Sequence, residues 1–119
     1  MATPLKNGDI ILVNFPFTDL KGMKVRPALV ISTAMVHQHE SDLTLLFISS
    51  VIPSKIQSYE FLFPETHPDF AKSGLKKVSL FKTSKVVTVQ KKLAVRKLGT
   101  LGDRVRKELA SVFEKAVQI

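Results

Sequence analysis

Residues 8–32, GDIILVNFPFTDLKGMKVRPALVIS, leave few folds open to this chain. Ile10, Ile11, Leu12, Val13 and Phe15 make a nearly continuous β-branched and apolar run, which reads as a strand. Pro16 ends it, because proline offers a sheet no ladder donor. Residues 17–25 are a polar loop that turns at Gly22. Pro27 restricts Arg26 to an extended backbone, and a second apolar strand, Ala28–Ser32, leaves at once. The hairpin therefore presents Phe17, Thr18, Asp19, Lys21, Lys24 and Arg26 near one rim.

The rest of the chain continues in short strands stopped by turn residues. The pattern predicts strands over Leu43–Val51, Tyr59–Phe63, Val78–Val89 and Leu93–Leu98, with Pro53 and Pro64 as stops. Thr33–Ser41 has room for a short helical turn, and Glu65–Gly74 for another. The period then changes. Leu101, Val105, Leu109, Val112 and Ala116 recur on one face of an amphipathic helix, with Thr100 and Asp103 resembling a capping box at its start. Strands first and one C-terminal helix last predict a mainly β (α+β) fold, a small, strongly curved antiparallel barrel. The length predicts one domain over residues 1–119.

Charge narrows the partners. Eighteen Lys and Arg face ten Asp and Glu, a net charge of +8, so the expected ligand is a polyanion. Cysteine is absent, which removes disulfides, thiol nucleophiles and Cys-based metal sites. The start, MATPLKNGD, has no apolar signal-peptide core, and no run approaches the ~18 apolar residues of a membrane helix. The expected setting is the cytoplasm, without a membrane.

The usual catalytic patterns are missing. His37 and His39 stand two apart and His67 stands alone, which reads as loop histidines more readily than as a metal site. There is no phosphate-cradling glycine loop and no nucleophile elbow. An enzyme here works without metal, cofactor or thiol. Arg, Lys, Asp, Ser and Thr still suffice for one reaction class, cleavage of RNA by its own 2′-hydroxyl. There the protein orients an in-line attack and stabilises charge on phosphorus. Arg26 suits that task, since a guanidinium fork matches phosphate oxygens. The competing reading is a surface arginine paired with Asp19.

The stretch from Gly8-Asp9 through Phe15–Asp19 to Arg26-Pro27 and Ser32 resembles the opening motif of the PemK/MazF family, the toxins of type II toxin–antitoxin systems. The likeness continues more loosely through Leu43–Ile52, Lys77–Val89 and the C-terminal helix. It implies the SH3-like barrel shared by MazF, Kid and CcdB, usually as a homodimer. It implies a metal-independent endoribonuclease that cuts single-stranded mRNA to 2′,3′-cyclic phosphate and 5′-hydroxyl ends. A small acidic antitoxin is the implied partner, and no cofactor is implied.

Residue by residue, the resemblance makes Arg26 the group that stabilises the cleaved phosphate. Ser49 stands where the family carries a threonine whose hydroxyl reaches the same phosphate, with Ser50 beside it. Lys82-Thr83-Ser84 stand where some members carry Arg-x-Asp; Lys82 keeps a charge for a phosphate, whereas Ser84 does not replace an acid as general base. Residues 17–25 become the lid over the RNA, with Phe17 either stacking a base or packing in the core. Thr18, Asp19, Lys21 and Lys24 then shape or steer the strand. Two rivals remain: a toxin of the same fold that poisons DNA gyrase by binding alone, and an inactive barrel that only binds RNA or antitoxin.

Overall fold

The computed structural model describes residues 4–15 and 24–119. Its strands are β1 (Asp9–Phe15), β2 (Lys24–Val30), β3 (Asp42–Ser49), β4 (Phe61–Phe63), β5 (Ser79–Gln90) and β6 (Ala94–Thr100). Three α-helices intervene or follow, α1 (Ala34–His37), α2 (Phe70–Ser73) and α3 (Asp103–Phe113), with a 3-10 turn at Lys91–Leu93 between β5 and β6. The six strands form one sheet in the order β4-β5-β3-β2-β1-β6, and every neighbouring pair is antiparallel. The expected small barrel is realised as a curled half-barrel, with β4 and β6 as its two edges.

Both faces of the sheet are covered, which explains the continuous apolar run of β1. Alternate strand residues point to opposite faces. Ile10 enters a cluster with Leu29, Leu46, Ile48, Phe63, Phe81 and the α3 residues Val105 and Leu109. Ile11, Val13 and Phe15 enter the other, with Ala28, Val30, Leu43 and Leu45. Asp9 is buried at the mouth of β1. Its carboxylate accepts the Lys6 N–H at 2.9 Å and pairs with Lys97 of β6 at 3.2 Å, so the Gly-Asp start ties two strands together.

The structure departs from the sequence reading in several details. Strand β2 begins at Lys24 rather than at Ala28, with Arg26 and Pro27 inside it. Proline is tolerated there because β2 pairs with β3 only from Ala28 onward. Strand β5 is not regular: Leu46 lies opposite Val86 and Phe47 opposite Lys82, so Thr83, Ser84 and Lys85 bulge out with no β3 partner. Helix α3 starts later and stops sooner than its apolar stripe. Gly102 is its N-cap, and Ala116 lies past its end.

The cap of α3 arrives through space. Asp69 Oδ2 accepts the Val105 N–H at 2.9 Å, satisfying one of the open donors of the first turn. Gly102 packs so closely on that carboxyl that a Cβ there would lie 2.4 Å from Asp69 Cγ. Replacing Asp69 by Ala is expected to cost ~1 kcal/mol, the usual cost of a lost cap, and Asn to recover part of it. Urea denaturation of the two variants checks this. At the end of α2, Gly74 takes φ 74°, a region that glycine enters without penalty. A Cβ there would also lie 2.1 Å from Leu98 O of β6, so glycine is what lets α2 sit against that edge.

Candidate active site

Strand register brings Arg26 and Ser49 together. Ala28 pairs with Phe47 and Leu29 with Leu46; just beyond the end of this ladder Arg26 and Ser49 line one cleft. Phe47 in turn lies opposite Lys82, so directly opposed residues put Arg26, Ser49 and Lys82 on one face. They line a cleft of about 520 Å³ together with Pro27, Phe47, Ser50 and Lys85. Among its described lining residues the charged ones are Arg26, Lys82 and Lys85, all cations. Phe47 supplies an apolar floor and stacks at 4.7 Å, tilted, on Phe15.

Each polar group in the cleft has a distinct setting. The Ser49 hydroxyl accepts the Val51 N–H at 3.1 Å, and its nearest acceptor, Val51 O, is 3.4 Å away. The amide thus fixes the oxygen. The hydroxyl hydrogen is held only by a long contact and is free to turn to a phosphate oxygen. Arg26 is exposed and has no ion-pair partner among the described residues. Lys82 is different: its Nζ lies 3.0 Å from Glu60 Oε2.

Glu60 is the acid that the sequence did not reveal. Its side chain is only 7% exposed, and Oε1 accepts the Gln57 N–H at 2.9 Å. That backbone donor holds the carboxyl below the usual glutamate range; burial opposes it, and Lys82 adds to the lowering. A carboxylate whose value is lowered on folding stabilises the fold fully above its unfolded value. That contribution is lost as pH falls through the lowered folded value. Glu60→Gln is therefore expected to flatten the acid limb of the stability curve while leaving its neutral plateau lower. Thermal melts between pH 7 and the acid range check the sign, and an unchanged acid limb would assign the limb to other carboxylates. Beside this pair, the Thr83 hydroxyl donates to Tyr59 O, pinning the β5 bulge to the segment before β4.

The remaining sequence candidates divide plainly. Ser50 lines the cleft. Ser84 is exposed on the bulge and does not, whereas its neighbour Lys85 does. Lys24 stands opposite Phe15 at the start of β2 and is not among the lining residues. Phe17, Thr18, Asp19 and Lys21 lie outside the described residues, and so does most of the expected lid. His37 Nε2 is 2.6 Å from Ser32 Oγ, and His67 pairs with Glu108 at 2.5 Å. Neither lines the cleft, and no group of three His, Asp or Glu side chains able to hold a metal occurs among the described residues. No helix among them is long and apolar enough to cross a membrane.

Comparison with known proteins gives this geometry a context. A family model described as the PemK-like, MazF-like toxin of type II toxin–antitoxin systems matches residues 6–117. Among solved structures, the chain is similar to an endoribonuclease in complex with its cognate antitoxin from a mycobacterial species. There the TM-score is 0.73 at 11% identity, with 95% of this chain and 94% of that one covered. It is similar to the Mycobacterium tuberculosis toxin MazF-mt6, with TM-score 0.70, 19% identity and coverage of 91% and 94%. It is also similar to a MazE–MazF structure from Deinococcus radiodurans, with TM-score 0.64, 22% identity and coverage of 94% and 92%. At these identities the likeness speaks for the fold alone. A comparison with curated protein sequences finds no match.

Proposed function

This chain belongs to the PemK-like, MazF-like toxins of type II toxin–antitoxin systems, and from that premise we propose that it is an endoribonuclease cutting single-stranded mRNA without a metal ion. The observation that carries the reading is the convergence of Arg26, Ser49 and Lys82 on one face of one cleft. The products are a 2′,3′-cyclic phosphate and a 5′-hydroxyl. We further propose that residues 1–119 form one toxin domain, that it works as a cytoplasmic homodimer, and that its regulator is a small acidic antitoxin. The net charge of +8 suits both polyanions, and two of the similar structures are complexes with an antitoxin or with MazE.

The chemistry needs little from the protein. The substrate's 2′-oxygen forms a bond to the adjacent phosphorus, the bond from phosphorus to the 5′-oxygen breaks, the 2′-hydroxyl proton is released and the 5′-oxygen gains one. Negative charge peaks on the non-bridging oxygens in between. The Arg26 fork meets two of those oxygens, and the Ser49 hydroxyl donates to one. Lys82, steadied by Glu60, and Lys85 neutralise the strand on either side as point charges. Among the described lining residues there is no carboxylate or imidazole, so their part in the reaction is electrostatic stabilisation and alignment.

The test is incubation of purified protein with a long unstructured RNA in excess EDTA, with the 5′ ends mapped. Discrete cuts with 5′-hydroxyl ends support the reading and give the recognition sequence. Absence of cutting by a folded, antitoxin-free protein would sink it and leave the gyrase-binding toxin or the inactive barrel.

A further inference from the structure

We propose that Glu60 is a positioning residue for RNA cleavage: it holds Lys82 at one place on the cleft wall, so that this lysine stabilises the charge developing on the scissile phosphate instead of only attracting the strand; this role rests on the nuclease reading. Lys82 is well placed for the task. It lies opposite Phe47, and Ser49 follows two residues, ~7 Å, along the same face of β3. Glu60 is not among the residues lining the cleft, so it acts on a bound phosphate through Lys82, whose Nζ is 3.0 Å from Glu60 Oε2. An ammonium has three donors; with one on this carboxylate, two are left for phosphate oxygens.

The carboxylate is itself held in place. The Gln57 N–H donates to Glu60 Oε1 at 2.9 Å and the Glu60 N–H returns to Gln57 O at 3.0 Å, which closes this turn twice. The buried Thr83 hydroxyl donates to Tyr59 O and ties the turn to the β5 bulge, which begins just after Lys82. Lys85 is the contrast: it lines the same cleft, is exposed and has no ion-pair partner among the described residues. A loose lysine follows a phosphate through ground state and transition state alike, and adds to binding without speeding the chemical step. A fixed one needs no reorganisation as the charge grows. The charge balance points the same way. Glu60 cancels part of the positive field that draws RNA, so affinity alone would be served better without it. Holding Lys82 in position explains why a carboxylate stands there.

The experiment measures single-turnover cleavage of one mapped RNA site, and affinity for 2′-O-methyl RNA of the same sequence, which lacks the attacking hydroxyl. It compares wild type, Glu60→Gln, Lys82→Gln and the double variant Glu60→Gln/Lys82→Gln. Glu60→Gln is expected to slow the chemical step about 10-fold, while the 2′-O-methyl RNA binds as tightly as before or tighter, because the site has lost a negative charge. Lys82→Gln slows the step and weakens binding, and Glu60→Gln then adds no further loss of rate. With Lys85→Gln, by contrast, the losses multiply. Melting curves confirm that each variant is folded at the assay temperature. Where Glu60→Gln is not, Glu60→Asp is read in its place; it keeps the charge but draws the carboxylate back from Lys82, and is expected to cleave more slowly at unchanged affinity. Rate losses that multiply in Glu60→Gln/Lys82→Gln, or a Glu60→Gln that loses rate and affinity together, make Glu60 a merely structural residue and overturn the proposal. So does an unchanged rate. No cutting by folded wild type overturns the nuclease reading and this role with it, whereas cutting with any of those three results overturns this role alone.

Discussion

Arg26→Ala is expected to lower the rate of RNA cleavage by at least about 10³-fold, ~4 kcal/mol of transition-state stabilisation, with little change in stability. A transferred phosphate draws that much from one well-placed guanidinium. Arg26 is exposed, opposite Val13 of β1 and beyond the β3 ladder, so truncating its side chain takes little from the core. Arg26→Lys keeps the charge and loses the fork, and is expected to recover only part of the rate. Ser49→Ala removes one neutral donor and costs less than Arg26→Ala, while Ser49→Thr retains activity. Single-turnover cleavage of one mapped site, with a melting curve for each variant, checks the series. Equal rates for wild type and Arg26→Ala would remove Arg26 from the reaction.

Much of this was legible because it is local. The β1 run, the proline stops and the period change before α3 are encoded in adjacent residues, and the structure has strands and helix there. Arg26 and Ser49 follow from the family resemblance, and the structure has both lining one cleft. What was not legible depends on pairing across space. Simple alternation would put Ser84 on the face of Lys82, two residues before it. The three-residue bulge breaks that alternation, and Lys85 lines the cleft instead. Glu60 carries no local mark of its role, because its partner Lys82 is on another strand. The α3 cap depends on space in the same way: Thr100 sits where a capping residue belongs in sequence, but Asp69 reaches the helix from the segment after β4.

Phe81→Ala is the substitution expected to damage the fold most, by about 3–5 kcal/mol. Phe81 is fully buried and central to an aromatic group, with ring centroids 6.0 Å from Phe61 and 5.8 Å from Phe63. Phe63 passes the packing on to Phe70 at 5.2 Å, and through the same cluster to Val105 and Leu109 of α3. A cavity here therefore loosens β4, α2 and α3 at once, and neighbours held by the sheet relax into it poorly. For a domain of this size a total stability of about 5–15 kcal/mol is ordinary, so the loss removes much of the reserve. The site suffers too. Lys82 follows Phe81 on β5, and Glu60 directly precedes β4, which Phe81 supports through Phe61. The midpoint of urea unfolding is expected to fall sharply with an unchanged slope, and Phe81→Leu to fall less. A loss below about 1 kcal/mol would show that the cluster repacks around the gap and that β4 is held chiefly by its backbone ladder to β5.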